Sequence, residues 1–130
     1  MKPIVRYLDQ TGAVDCPYGN VKRVVTGGEY PQANVHVVSV TKGGEHYHEA
    51  YDEVYYLLSG SGRIWLGGEE HPLRPGAVVT IPAGLVHSLK ANEGEELTFI
   101  IFGMPGMSAD DPRFIPRGCA GQRQPSASRA

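Results

Sequence analysis

The chain has 130 residues, 41% hydrophobic and 20% charged, the size and balance of one folded domain, with little room for a second catalytic or DNA-binding unit. Its net charge of −2 is uneven: residues 1–112 carry 8 Lys and Arg against 14 Asp and Glu, or −6, while 113–130 carry four arginines and no acid. An acidic body argues against nucleic-acid binding through a broad basic face, and no run approaches the roughly 20 apolar residues that cross a bilayer. The opening MKPIVRYLDQ lacks the apolar run of a secretory signal, and Cys16 and Cys119 supply no disulfide framework, so a soluble cytoplasmic protein is expected.

The first 20 residues hold Ile4, Val5, Tyr7 and Leu8, an arm or extra strand for this domain or for a neighbouring copy. Short runs rich in Val, Ile, Tyr and Phe then follow at Val21–Thr26, Val35–Thr41, Glu53–Ser59, Arg63–Leu66, Ala77–Pro82, Val86–Lys90 and Glu96–Phe102. No segment keeps a 3.6-residue apolar period long enough for a helix, so the chain reads as all-β, a barrel or sandwich over 21–112. Glycine pairs separate the runs, and the stretch Glu53–Leu66 around Gly60-Ser61-Gly62 reads as a hairpin. Residues 113–130, small, polar and basic, read as a flexible tail.

Three of the five histidines lie in two glycine-bounded segments. In the first, His46 and His48 are two residues apart, so on a strand both imidazoles project from one face. Glu53 opens the following run and is placed to return a carboxylate to the same point. In the second, Pro82 and Gly84 force a turn and His87 starts the strand after it. Three neutral imidazoles and a carboxylate on strands form a ligand shell for a divalent first-row metal, with coordination positions left open.

The pattern H-x-H-x4-E-x6-G at His46, His48, Glu53 and Gly60 resembles the first motif of the cupin family. The pattern G-x5-P-x-G-x2-H at Gly76, Pro82, Gly84 and His87 resembles the second, with 15 residues between Gly60 and Gly76. The resemblance covers roughly residues 35–102. It implies a cupin double-stranded β-helix, that is, a jelly-roll barrel, with His46, His48, Glu53 and His87 as metal ligands and a homodimer as the assembly.

The expected function is a metal-dependent enzyme acting on a small oxygen-rich substrate by isomerase, lyase, cyclase or dioxygenase chemistry. The metal is one divalent transition ion: Mn, Fe, Ni or Zn. Candidates for the proton-transferring group are Tyr55, on the face of Glu53 by alternation, His36, on the preceding run, and Glu49, beside the ligands. The alternative is a non-catalytic module that binds a small ligand in the same barrel.

Overall fold

The computed structural model describes residues 1–16, 18–108, 110–114 and 117–118. Among them eleven strands run in chain order: β1 Val14–Cys16, β2 Gly19–Val25, β3 Asn34–Val40, β4 Lys42–Tyr47, β5 Asp52–Ser59, β6 Gly62–Leu66, β7 Glu69–Leu73, β8 Val78–Ile81, β9 His87–Ala91, β10 Leu97–Met104 and β11 Arg117–Gly118. The only helical turns among the described residues are 3-10 turns at Leu8–Gln10 and Pro112–Phe114, and no helix is long and apolar enough to cross a membrane. The strands build a six-stranded sheet, β1-β2-β3-β10-β5-β8, facing a five-stranded sheet, β11-β4-β9-β6-β7. All pairings are antiparallel, the double-stranded β-helix expected from the two motifs.

Alternation places the core between the sheets. Val38 and Val40 of β3, Tyr55 and Leu57 of β5, and Leu97 and Phe99 of β10 project from the larger sheet. They meet Ile64 of β6, Leu73 of β7, and Leu89 and Ala91 of β9 from the smaller one. Ile64 and Leu97 are completely buried, and apolar area removed from water at about 25 cal/mol per Å² is the main force holding the sheets together.

Two expectations change. Glu53–Leu66 is not a hairpin: β5 pairs with β10 and β8, whereas β6 pairs with β9 and β7. The link Gly60-Ser61 carries the chain from one sheet to the other, and its glycines let it pass close to backbone on both sides. A Cβ on Gly60 would lie 2.0 Å from the Glu96 carbonyl oxygen, and one on Gly62 would lie 2.2 Å from that of Lys90. Secondly, Glu69–Leu73, which falls outside the runs read as strands, is itself a strand. It lies at a sheet edge and pairs only with β6, where charges and a proline are tolerated because one row of backbone groups faces water.

The N-terminal segment contributes β1, which pairs with β2 of the same chain. At the other end β11 pairs Arg117 with Tyr47 and Gly118 with His46, which joins the start of the basic segment to the smaller sheet. Residues 115–116 and 119–130 of that segment lie outside the described residues.

Candidate metal centre

His46 is the penultimate residue of β4, and its cross-strand partner in the ladder is His87, the first residue of β9. Directly opposed residues of an antiparallel pair share a face, and these two rings lie 4.2 Å apart between centroids. His48 stands just past the end of β4, so the simple two-residue alternation of one strand does not bring it in. Its position comes from a hydrogen bond in which the Gly84 amide donates to the His48 carbonyl at 2.8 Å. Gly84 holds φ at +89°, a backbone region that residues with a Cβ enter only at a cost. Asp52 fastens the same turn by accepting from the Ala83 amide at 2.8 Å.

These contacts bring one ligand atom each of His46, His48 and His87 within 4.8 Å of one another. Glu53 closes the group, with its Oε1 3.3 Å from His48 Nε2 and 3.6 Å from His87 Nε2. His48, Glu53 and His87 are buried and His46 is half-buried. All four residues picked out by their spacing therefore converge on one point.

The backbone sets the protonation pattern. His46 Nδ1 lies 2.8 Å from the Gly44 carbonyl oxygen and His87 Nδ1 lies 3.0 Å from that of Leu85. A carbonyl only accepts, so in each ring Nδ1 carries a proton and Nε2 is the nitrogen aimed at the cluster. Burial, together with the neighbouring His87, holds His46 down to about 4, so its ring is neutral at physiological pH. Burial would push the Glu53 carboxyl up, but hydrogen bonds from His48 and His87 outweigh it and bring it to about 2. Imidazole Nε2 atoms gathered beside an ionised carboxylate are the donor set that a divalent transition ion takes. Three histidines here could hold a metal.

Of the three proton-transfer candidates, the structure brings two to the site. Tyr55 is buried with its hydroxyl 3.3 Å from both Glu53 Oε1 and His87 Nε2. Burial and the Glu53 charge raise the phenol well above its ordinary value, so Tyr55 is a hydrogen-bond donor here and not a base. His36 faces inward from β3 and lines the same cavity, and burial holds it near 4. Glu49 is exposed on the turn after His48 and is not among the residues lining the cavity; one residue beyond His48, the chain has turned it to solvent. Tyr51 was missed as a site residue. Its hydroxyl lies 2.8 Å from His48 Nδ1, and the crowding of tyrosines around the first motif was its only signal.

The cluster sits in a cavity of about 480 Å³ between the sheets, within the range of small-molecule sites.

The cupin domain family matches residues 35–103 of this chain. Quercetin 2,3-dioxygenase of Bacillus subtilis (strain 168) is 41% identical over 46 residues, 35% of this chain and 14% of that enzyme. Across the curated relatives it matches, the chain spans from 14% to 66% of the relative's length. A solved protein from Planctomyces limnophilus superposes with a TM-score of 0.74 at 27% identity, covering 85% of this chain and 95% of that one. The nucleoside dehydratase Pac13 of Streptomyces shares the fold, with a TM-score of 0.68 at 19% identity over 85% of this chain and 88% of its own.

Proposed function

The chain belongs to the cupin domain family, and from that premise we propose that it is a metal-dependent enzyme acting on a small oxygen-rich molecule. The observation that carries this reading is the convergence of three imidazoles and the Glu53 carboxylate at the wall of a cavity large enough for such a substrate. His46, His48, Glu53 and His87 would hold the ion, which when bound supplies Lewis-acid stabilisation of negative charge on a substrate oxygen.

The remaining roles belong to the chain's own side chains. Tyr55 remains a phenol at neutral pH and donates a hydrogen bond at the edge of the cluster, where developing oxyanion charge would meet it. His36, neutral and lining the cavity, is able to accept a proton from a bound molecule. Apolar side chains such as Val38, Phe99 and Ile101 cover the rest of the wall and exclude water. The enzymatic relatives among proteins of this fold, a dioxygenase and a nucleoside dehydratase, support catalysis as the use of such a site.

The test is metal analysis of protein purified without chelator or polyhistidine tag, coupled to solvent deuterium uptake by sugar acids and diketones. The expected result is about one divalent ion per chain and exchange that stops in His46→Ala and His87→Ala. Protein that neither carries nor takes up a divalent ion would remove the reading.

A further inference from the structure

The register of the larger sheet sets Arg23, His36, Ile101 and Tyr55 in one row across β2, β3, β10 and β5. Opposed residues in antiparallel strands share a face, so the row lies on the cavity side, and all four line the cavity. Tyr55 ends the row at the histidine cluster. Arg23 ends it about 14 Å away along the sheet, three strand spacings of about 4.8 Å, at an exposed position. From the facing sheet Lys42 of β4 also reaches the cavity, its Nζ 4.9 Å from the centre of the Tyr18 ring.

Neither cation has a carboxylate partner within ion-pair distance among the described residues. Glu53 is the one carboxylate among the described residues of the lining, and the histidines hold it. In a body whose residues 1–112 sum to −6, two of the eight cations thus face one cavity whose lining offers them no carboxylate other than Glu53. Arg23's charge reaches inward far enough to help keep His36 unprotonated.

We infer that the cavity takes a small hydroxylated acid, its anionic head, carboxylate or phosphate, held between Arg23 and Lys42 and its oxygen-bearing end at the histidine cluster. The inference names the substrate class of the site and rests on reading that cluster as its reacting end. A guanidinium pairs with either anion through two parallel hydrogen bonds, while a lysine supplies a point charge.

The experiment titrates the full chain with glucuronate, glucose 6-phosphate and glucose, following affinity by calorimetry and the Arg23 Nε–H resonance by NMR. Wild type, Arg23→Gln, Arg23→Lys and Arg23→Gln/Lys42→Met are compared, each with and without chelator treatment. The expected result is that one or both acids bind, glucose binds at least about tenfold more weakly, Arg23→Gln loses about tenfold and Arg23→Lys recovers part of it. The tighter acid identifies the head as carboxylate or phosphate. Both side chains are exposed, so the variants should keep the wild-type melting temperature. Binding of glucose as tight as that of the acids, no binding of either acid, or a double variant that binds like wild type would overturn the inference. Discrimination that survives chelation in a protein without metal would uphold the anion site while the metal reading fell. A loaded metal without discrimination would do the reverse.

Discussion

The Tyr51 phenol lies 2.8 Å from Nδ1 of His48 and its ring stacks on the imidazole at 4.6 Å between centroids. His46 and His87 are oriented by backbone carbonyls, whereas His48 depends on this side chain. Held through Nδ1 by the Tyr51 hydroxyl, the His48 ring turns Nε2 toward Glu53 and the other rings. Groups that orient a metal-bound imidazole in this way typically contribute 10–100-fold to affinity. Tyr51→Phe keeps the stacking and removes the hydrogen bond. It is expected to weaken divalent-ion binding by about that factor with little change in melting temperature, as competition with a metal-sensing dye would measure. Unchanged affinity would mean that packing alone orients His48.

Acid should unfold the metal-free protein through His36. Burial, then the charge of Arg23, lowers this ring from 6.5 to about 4, with Glu53 pulling the other way. The unfolded chain takes up the proton first as pH falls. The stability that follows from a neutral, buried His36 is therefore present above pH 6.5 and lost on the way down to about 4. For a fully expressed shift of this size the loss is about 3 kcal/mol. His46 and Glu53, both lowered, add loss of the same sign, with Glu53 acting below its ordinary carboxylate range. Urea midpoints of chelated protein between pH 7 and pH 4 should fall for wild type and fall less for His36→Gln. Parallel curves would show that His36 is as freely protonated in the fold as outside it.

Much of this site was legible because its histidines and Glu53 are tied to backbone punctuation. Gly60, Pro82 and Gly84 mark the crossings and turns that deliver Glu53, His48 and His87, and such residues announce themselves through φ and steric need. The strand pattern was readable for the same reason in Val35–Thr41 and Glu96–Phe102, where β-branched and aromatic residues dominate. What escaped depended on distant partners. β7 is written in charges and a proline because only one of its edges is paired. The chain's passage between sheets at Gly60 looks locally like a hairpin, and only the backbone of Glu96 and Lys90 distinguishes the two. Tyr51 and Arg23 act through register and ring contact, which spacing along one segment does not reveal.

A bound divalent ion should stabilise the fold, since it would bind the assembled cluster and not the unfolded chain. At a free concentration about 100 times the dissociation constant the gain is about 2.7 kcal/mol, or roughly 5–10 °C in melting temperature for a domain of this size. Zinc and manganese titrations followed by differential scanning fluorimetry at pH 7.5 should show the rise. His87→Ala, which removes a buried ligand, should abolish it. The rise should also shrink toward pH 5, because protons compete for the same Nε2 lone pairs. An equal rise in His87→Ala would place the ion elsewhere.

Two glycines with nearly the same φ separate conformational strain from steric exclusion. Gly84 and Gly60 sit at +89° and +92°, and an alanine in that region costs about 1–2 kcal/mol from the backbone alone. Around Gly84 a new Cβ would meet nothing within 4 Å, whereas at Gly60 it would press into the Glu96 carbonyl, at 2.0 Å. That carbonyl is backbone at the start of β10, so relief requires the two sheets to shift at their crossing, and overpacking of this kind adds about 1–3 kcal/mol. Gly84→Ala should therefore lose about 1–2 kcal/mol and Gly60→Ala about 2–5 kcal/mol in denaturant titrations. Equal losses would mean that the backbone at Glu96 yields freely and that φ alone decides both positions.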